Sequence, residues 1–204
     1  MAHQAPASSE RPSGEGDVAP PTDADLVAAV RAGDQQASQA FYERLRAPID
    51  RALLRVFGRR EQDHEDFVQI ALEQVVDSIA TRAFRGRCSL STWAMLIASR
   101  VALGEIRRRV RRGPRYEPDV ESSSAVDEME RLQARQVLRR VRSALALLGR
   151  RSADVVYLSD VEGYSEAEVA QALGISVAAT HSRLVRGRQR MKAALRDVLE
   201  AAHG

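Results

Sequence analysis

The chain lacks the features of secreted, disulfide-stabilised and membrane-spanning proteins. Only 4% of its 204 residues are aromatic, and its single cysteine, Cys88, cannot form an internal disulfide. No apolar run approaches the roughly 20 residues that a transmembrane helix needs, and the N-terminus does not have the basic-then-apolar order of a signal peptide. We therefore expect a cytoplasmic protein without membrane insertion.

Lysine is also nearly absent, because Lys192 is the only one and arginine carries almost all the positive charge. The net charge is only +3, but it is unevenly distributed. Residues 100–115 and 183–196 are strongly basic, whereas residues 61–77 and 117–130 are acidic. Local patches, rather than the net charge, set the field that a phosphate backbone meets. The two basic segments are therefore candidate nucleic-acid contacts.

Hydrophobic periodicity predicts helices throughout the chain and no strand. Residues 1–22, rich in Ala, Pro, Ser and Gly, predict a disordered tail, and residues 114–130 predict a flexible acidic linker. Start and stop signals predict helices over about 23–32, 37–57, 63–80, 89–112, 132–148, 152–161, 165–173 and 176–195. We therefore expect an all-α fold with two small helical domains, 23–113 and 131–200.

The last two helices have the pattern of a helix-turn-helix. Ser165 and Glu168 have the spacing of a capping box, Gly174 suits the turn, and Ser176 can cap the next helix. Beyond that cap, apolar or small residues recur at helical spacing: Val177, Thr180, Leu184, Met191 and Leu195. A helix pair with a basic second member presents that helix to the major groove of DNA, so DNA is the expected partner.

The fourth predicted helix combines an aromatic side chain with arginines. Trp93, Arg100, Arg107 and Arg111 are spaced by seven, seven and four residues, which places them on one side of a helix. A flat aromatic face beside guanidinium groups suits the binding of unstacked, single-stranded bases. A core tryptophan above a solvated basic helix end explains the same pattern. The adjoining loop, with Phe84 and two arginines, favours the first interpretation.

Acidic residues begin the third predicted helix. Asp63, Glu65 and Asp66 lie where carboxylates complement a helix dipole, and this alone explains their presence. His64 does not face the same way as Asp66, so the ligands do not converge and we expect neither a metal nor a cofactor. An acidic stripe that docks on a basic protein partner is the more specific hypothesis.

Together these motifs resemble those of a known family. Residues 63–69 (DHEDFVQ) resemble the "DAEDLVQ" segment of bacterial RNA polymerase sigma factors. Similar to that family, in the same order, are the segments 84–86 (FRG), 91–98 (STWAMLIA), 107–109 (RRR), 160–170 (DVEGYSEAEVA), 173–176 (LGIS) and 182–184 (SRL). The resemblance covers about residues 24–197, and the two-domain layout resembles the extracytoplasmic-function type, also called group IV.

The resemblance implies a role for each predicted surface. Docking on the clamp helices of the polymerase would use Asp63, Asp66, Gln69 and Glu73. Recognition and opening of the minus-ten element would use Phe84, Arg85, Trp93, Arg100, Arg107, Arg108 and Arg111. Recognition of the minus-thirty-five element would use Ser176, His181, Ser182, Arg183 and Arg186. The implied partners are core RNA polymerase, promoter DNA and an anti-sigma factor. We expect a monomer when free, and no catalysed reaction.

Three alternatives remain at this stage. A stand-alone helix-turn-helix regulator predicts tight operator binding without polymerase. A nuclease would use Asp63, Glu65 and Asp66 on a metal, but no second cluster completes such a site. A sigma-like decoy would occupy polymerase without starting transcription. Departures from the family pattern keep the decoy open, among them Arg100 in place of the usual asparagine and Ile70 in place of a common acid.

The recognition helix predicts a relaxed minus-thirty-five preference. Ala178 and Ala179 offer no hydrogen bond to a base edge, so phosphate contacts and thymine methyl groups should supply most of the binding. Transcription from a randomised promoter library should therefore show weak base selectivity opposite these two alanines. Sharp selectivity at those base pairs would contradict the prediction.

Overall fold

The computed structural model describes residues 20–35, 37–112 and 125–196, and only the backbone of residues 125–133. Within these ranges every regular element is helical, which confirms the predicted all-α class. The helices are α1 (Asp23–Ala32), α2 (Ser38–Phe57), α3 (His64–Ala80), α4 (Leu90–Arg112), α5 (Ala125–Leu147), α6 (Arg150–Val156), a π-helical turn (Tyr157–Val161), α7 (Glu166–Leu173) and α8 (Val177–Ala194). No helix in the described part is long and apolar enough to cross a membrane.

The first four helices bury one apolar core around α4. The capping box of Thr22 with Asp25 begins α1, and Gly33 ends it in the left-handed conformation at φ 71°. The fully buried side chains come from each long helix of this half: Leu45, Ile49 and Leu53 of α2, Val75 and Ile79 of α3, and Leu90, Ala94 and Ala98 of α4. These helices thus turn apolar side chains inward, whereas Ile70 of α3 is 39% exposed.

The remaining helices form the second half of the molecule. Helix α6 packs across α8 at Gly187, and Tyr157, Leu158, Val169 and Leu184 are buried between the helices. The helix of residues 150–156 widens into the π-helical turn, where the Glu162 N–H donates to the Tyr157 carbonyl at 3.0 Å. The two halves share one hydrophobic cluster, because α4 also packs against α5 and α6.

Some helix limits differ from the predicted ones. Helix α5 begins at Ala125, seven residues before its predicted start, because strong helix formers such as Glu128 and Met129 extend it into an acidic segment. Val177 is 51% exposed at the first turn of α8, whereas Thr180 and Leu184 of the same predicted stripe are buried. The predicted tail up to residue 19 and residues 114–124 of the predicted linker lie outside the described residues.

Because α6 and α8 cross closely at Gly187, alanine substitution of two helical glycines should change the free energy of unfolding in opposite directions. A Cβ at Gly187 would lie 2.5 Å from Val156 Cγ2, whereas a Cβ at Gly104 of α4 would have no neighbour within 4 Å. Gly187→Ala should lower the free energy of unfolding by about 1–3 kcal/mol through overpacking. Gly104→Ala, the matched control, should raise it by up to about 1 kcal/mol through helix propensity. Urea unfolding followed by circular dichroism measures both. A Gly187→Ala chain as stable as the control would contradict this account.

Candidate nucleic-acid interface

The start of α4 is fixed by two side-chain caps. The Leu90 N–H donates to Asp23 Oδ2 at 2.7 Å, and the Thr92 N–H donates to Ser89 Oγ at 3.0 Å. These acceptors satisfy donors that a helix N-terminus leaves without an intrahelical partner. The caps tie α4 to α1 and set the orientation of Trp93 one turn further on.

Trp93 lies half-buried on the side of α4 that we call the basic flank, defined by Trp93, Arg100, Arg107 and Arg111. Its Nε1–H donates to Ser78 Oγ of α3 at 2.8 Å, and its ring lies 5.8 Å from that of Phe84. Phe84 itself is only 5% exposed, so the indole of Trp93 packs against a buried ring. One face of Trp93 is thus held by the fold, as in a core tryptophan, while the residue keeps part of its surface accessible.

The arginines of α4 have different environments. Arg100 lies 5.6 Å from the Trp93 ring and pairs with Asp154, and the Arg107 Nε–H donates to the Ala146 carbonyl at 2.8 Å. Arg108 pairs with Glu105 on its own helix, whereas Arg111 is exposed near the helix end. In the adjoining loop Arg85 is exposed beside Gly86, which has φ 65°. The structure thus places five of the seven predicted minus-ten residues along α4 and two on the loop before it.

The acidic start of α3 presents the predicted polymerase-binding residues to solvent. Asp63, Asp66, Gln69 and Glu73 are all exposed, and the Gln69 amide donates to Glu73 Oε1 at 2.9 Å. Asp63 does not use its side chain to cap α3. The four side chains therefore lie together on one outer face, available to a partner.

A polar network holds this end of α3 against α2. Buried His64 has its Nε2 2.6 Å from Asp50 Oδ1, and the Arg46 Nε–H donates to Asp50 Oδ2 at 2.8 Å. Arg46 also donates to both carboxylate oxygens of Glu65, which Arg60 contacts as well. Because Asp50 and Arg46 of α2 bond to His64 and Glu65 in the first turn of α3, the network fixes the acidic face in place.

The same network lowers the pKa values of two carboxyl groups. Burial raises the pKa of Asp50, but the hydrogen bonds from His64 and Arg46, with the Arg46 charge, outweigh burial and leave the pKa below its usual value. The hydrogen bond from Arg46 is the largest cause that lowers the pKa of Glu65, to about 2. Both groups are therefore ionised at neutral pH.

The helix-turn-helix has the predicted local geometry. The Ser165–Glu168 capping box begins α7, Gly174 is left-handed at φ 65°, and the Ser176 Oγ accepts from the Ala179 N–H at 3.1 Å. These three features begin α7, end it, and begin α8. Helix α8 therefore starts at a defined point on the surface.

The predicted minus-thirty-five residues lie along the outer side of α8. Ser176, His181, Ser182 and Arg186 are exposed, and Arg183 is half-buried. The His181 Nδ1 lies 3.1 Å from Glu166 of α7, so the imidazole is oriented by the first helix of the pair. The structure thus brings these five residues together on one helix, with the side chains of four of them open to solvent.

Several residues of these surfaces were not predicted. Ser78 orients the indole of Trp93, Asp50 and His64 position the acidic face, and Asp154 pairs with Arg100. The exposed Val177 adds apolar surface at the start of α8. No local spacing marks the first four, because each acts through a partner distant in sequence.

Comparison with known proteins agrees with this arrangement of surfaces. Residues 41–112 match the family description "Sigma-70 region 2", and residues 138–191 match "Sigma-70, region 4". The RNA polymerase sigma factor CnrH of Cupriavidus metallidurans is 32% identical over 194 residues, which cover 86% of this chain and 96% of CnrH. The chain belongs to the RNA polymerase sigma factors.

Two further comparisons concern the same sigma factor family. The ECF RNA polymerase sigma factor SigM of Mycobacterium tuberculosis is 27% identical over 170 residues, which cover 83% of each protein. A solved structure of CnrH in complex with the cytosolic domain of CnrY is 27% identical, covers 86% of this chain and 97% of that chain, and has a TM-score of 0.47. The sequence relatives place this sigma factor in the extracytoplasmic-function group.

The family assignment decides between the functions left open by the sequence. As a sigma factor, the chain confers promoter-specific initiation on RNA polymerase. Neither the stand-alone regulator nor the decoy is favoured by these relatives. The sigma factors are not a family of enzymes.

Asp50→Asn should make the free energy of unfolding depend less on pH in the acid range. The pKa of Asp50 is lower in the folded chain, so its carboxylate stabilises the fold above the unfolded pKa, and this contribution is lost as the pH falls through the folded pKa. The free energy of unfolding should therefore fall more steeply for the wild type than for the variant between about pH 5 and pH 2. Urea unfolding at a series of pH values measures both slopes.

The control for this experiment is Asp77→Asn, which removes an exposed carboxyl group from α3. We expect it to keep the wild-type slope. Parallel curves for the wild type and Asp50→Asn would show that the network with His64 and Arg46 does not stabilise the fold.

Proposed function

We propose that this sigma factor divides its work among three surfaces. The acidic face of α3 docks on core polymerase, the basic flank of α4 with the loop before it opens the minus-ten element, and α8 recognises the minus-thirty-five duplex. One observation carries the proposal. A single chain presents an acidic face and an arginine-rich aromatic flank in one half, and a capped recognition helix in the other.

Docking on polymerase uses the exposed residues Asp63, Asp66, Gln69 and Glu73. Their carboxylates suit a basic partner surface, and the bond from Gln69 to Glu73 orders one pair of them. Ile70, 39% exposed among these polar groups, adds apolar contact where an acid is common in the family. Because the network from Arg46 to His64 holds this end of α3, little ordering is needed on binding.

Opening of the minus-ten element uses Trp93 as a stacking surface. Phe84 supports its ring, Arg85 and Arg111 are exposed to solvent, and Arg100, Arg107 and Arg108 add positive charge along the helix. Stacking of an unpaired base on an aromatic side chain contributes about 1–3 kcal/mol, which offsets the lost stacking of the duplex. The basic flank thus holds a strand after separation.

Recognition of the minus-thirty-five element uses the first turns of α8. Ser176, His181 and Ser182 are exposed at its N-terminal half, Arg183 follows directly, and Arg186 lies about one turn further. A major groove accommodates such a helix and distinguishes all four base pairs. Val177 supplies an apolar group of the kind that contacts a thymine methyl.

The domain limits and partners are part of the same proposal. A tail (1–22) precedes the N-terminal domain (23–113), an acidic linker (114–130) and the C-terminal domain (131–200). The chain acts in the cytoplasm, catalyses no reaction, and pairs with an anti-sigma factor. Since its relative CnrH was solved in complex with the cytosolic domain of CnrY, such a partner is consistent with the group.

The division of labour predicts two separable defects in transcription. With core polymerase and a promoter selected from genomic fragments, Trp93→Ala and Arg186→Ala should each lower initiation at least about 5-fold, as expected from contacts of 1–3 kcal/mol. A template with a pre-opened minus-ten region should restore initiation by the Trp93→Ala protein but not by the Arg186→Ala protein. Start-site counts from in vitro transcription measure both effects.

Arg51→Ala, which removes an exposed arginine of α2 outside these surfaces, is the control and should initiate as the wild type does. Absence of any protein-dependent start site with the wild type would overturn the proposed function. Restoration of both variants by the pre-opened template would overturn the assignment of α8 to the duplex.

A further inference from the structure

Helix α8 carries one side chain whose hydrogen-bonding role depends on the position of a proton. His181, in the second turn, has its Nδ1 3.1 Å from Oε1 of Glu166, the first residue of α7. A carboxylate accepts hydrogen bonds and donates none. The contact therefore requires a hydrogen on Nδ1, and the ring donates from this nitrogen to Glu166.

This contact determines what the other ring nitrogen can do. In a neutral imidazole one nitrogen donates and the other accepts, and the hydrogen bond made by one fixes the role of the other. With the hydrogen on Nδ1, Nε2 presents a lone pair. Nε2 makes no hydrogen bond within the described part of the chain, and the His181 side chain is 65% exposed. The protein thus presents a hydrogen-bond acceptor on the surface of α8.

Glu166 is itself held by the start of α7. The capping box of Ser165 with Glu168 begins that helix and makes Glu166 its first residue. The N-terminus of a helix is electrically positive, so a carboxylate is favoured there. The Glu166 side chain is also less exposed than that of His181, at 35%. The fold therefore sets the place of the acceptor that Nδ1 meets.

The helical neighbours of His181 are apolar. The positions three and four residues away, which share its side of the helix, are Val177, Ala178, Leu184 and Val185. Two charged side chains lie further along this side, Arg188 of α8 and Asp160 of the π-helical turn, and they pair with each other at 2.6 and 3.2 Å. Among the described residues, Glu166 is therefore the group that fixes the proton of the ring.

The major groove offers two kinds of polar group near the centre of each base-pair edge. Adenine N6 and cytosine N4 are amino groups that donate, whereas guanine O6 and thymine O4 are oxygens that accept. A lone pair on Nε2 matches an amino group and is repelled by an oxygen. Such an acceptor groups adenine with cytosine against guanine with thymine. A preference for A·T over G·C pairs, or for purines over pyrimidines, does not give that grouping.

We propose that His181 and Glu166 together select an amino-bearing base in the minus-thirty-five duplex. Nε2 of His181 accepts from adenine N6 or cytosine N4, and Glu166 is the positioning residue that keeps the hydrogen on Nδ1. This inference rests on the proposed function, because it takes α8 to lie in the major groove. The two residues supply a base preference beside Ala178 and Ala179, which offer no hydrogen bond to a base edge.

The test is transcription by core polymerase with the full chain, from a promoter library randomised in the minus-thirty-five element. It is run at pH 8, above the range in which imidazoles usually gain a proton. The base pair that His181 contacts is the one whose preference disappears in His181→Ala. At that pair the wild type should favour adenine and cytosine on one strand over guanine and thymine by at least about 3-fold. His181→Lys, whose ammonium group only donates, should favour guanine and thymine on the same strand.

Glu166→Gln tests the positioning role. An amide offers both a donor and an acceptor, so it allows the hydrogen on either ring nitrogen, and the preference at that pair should fall to below about 2-fold. A merely structural role of Glu166 would lower transcription from every promoter and leave the ratio unchanged. The matched control is Asp160→Asn, which removes a carboxylate that also faces α8 but pairs with Arg188. It should keep the wild-type preference.

Several results would overturn this inference. They are a His181→Ala protein with every wild-type preference, a grouping other than adenine with cytosine, and an unchanged ratio in Glu166→Gln. Loss of the preference in Asp160→Asn would assign the effect to charge rather than to the position of a proton, and would overturn it as well. Absence of start sites with the wild type is a failure of the proposed function, whereas start sites without the grouping are a failure of this inference alone.

Discussion

Burial of α4 is the constraint on which the rest of the structure depends. Its apolar first half is surrounded by α2 and α3, with Ala94 and Ala98 fully buried. That half fixes the helix rotation, so the opposite side must carry Trp93 and the arginines that follow it at helical spacing. The surface assigned to DNA is thus the reverse side of the N-terminal core, and its geometry is determined by core packing.

Polar contacts fix the positions of side chains on the other two surfaces. Asp50 accepts hydrogen bonds from both His64 and Arg46 and thereby holds the acidic face of α3. Glu166 contacts His181 and orients it on α8. In each case a residue outside the proposed contact surfaces positions one that lies on such a surface. Loss of such a residue should therefore affect function through orientation, because the contacting side chain is still present.

The features that the sequence predicts correctly depend on contacts between residues close together in the chain. The capping box at Ser165 and the left-handed Gly174 depend on neighbours within a few residues, so their spacing reveals them. The support of Trp93 by Ser78 and the pairing of Arg100 with Asp154 join residues 15 and 54 positions apart. No periodicity encodes those separations, because they follow from how the helices pack. The burial of Phe84 has the same origin.

Some contacts between the two halves end on main-chain oxygens. Arg55 and Arg107 donate to the carbonyls of Val161 and Ala146, and any amino acid at those positions would offer the same acceptor. Substitution at these two positions therefore leaves both acceptors in place, whereas the pair of Arg100 with Asp154 depends on a carboxylate. No residue of α8 takes part in these hydrogen bonds, so its exposed side chains can vary without changing them. New recognition helices could arise on this scaffold without a matching change in the N-terminal half.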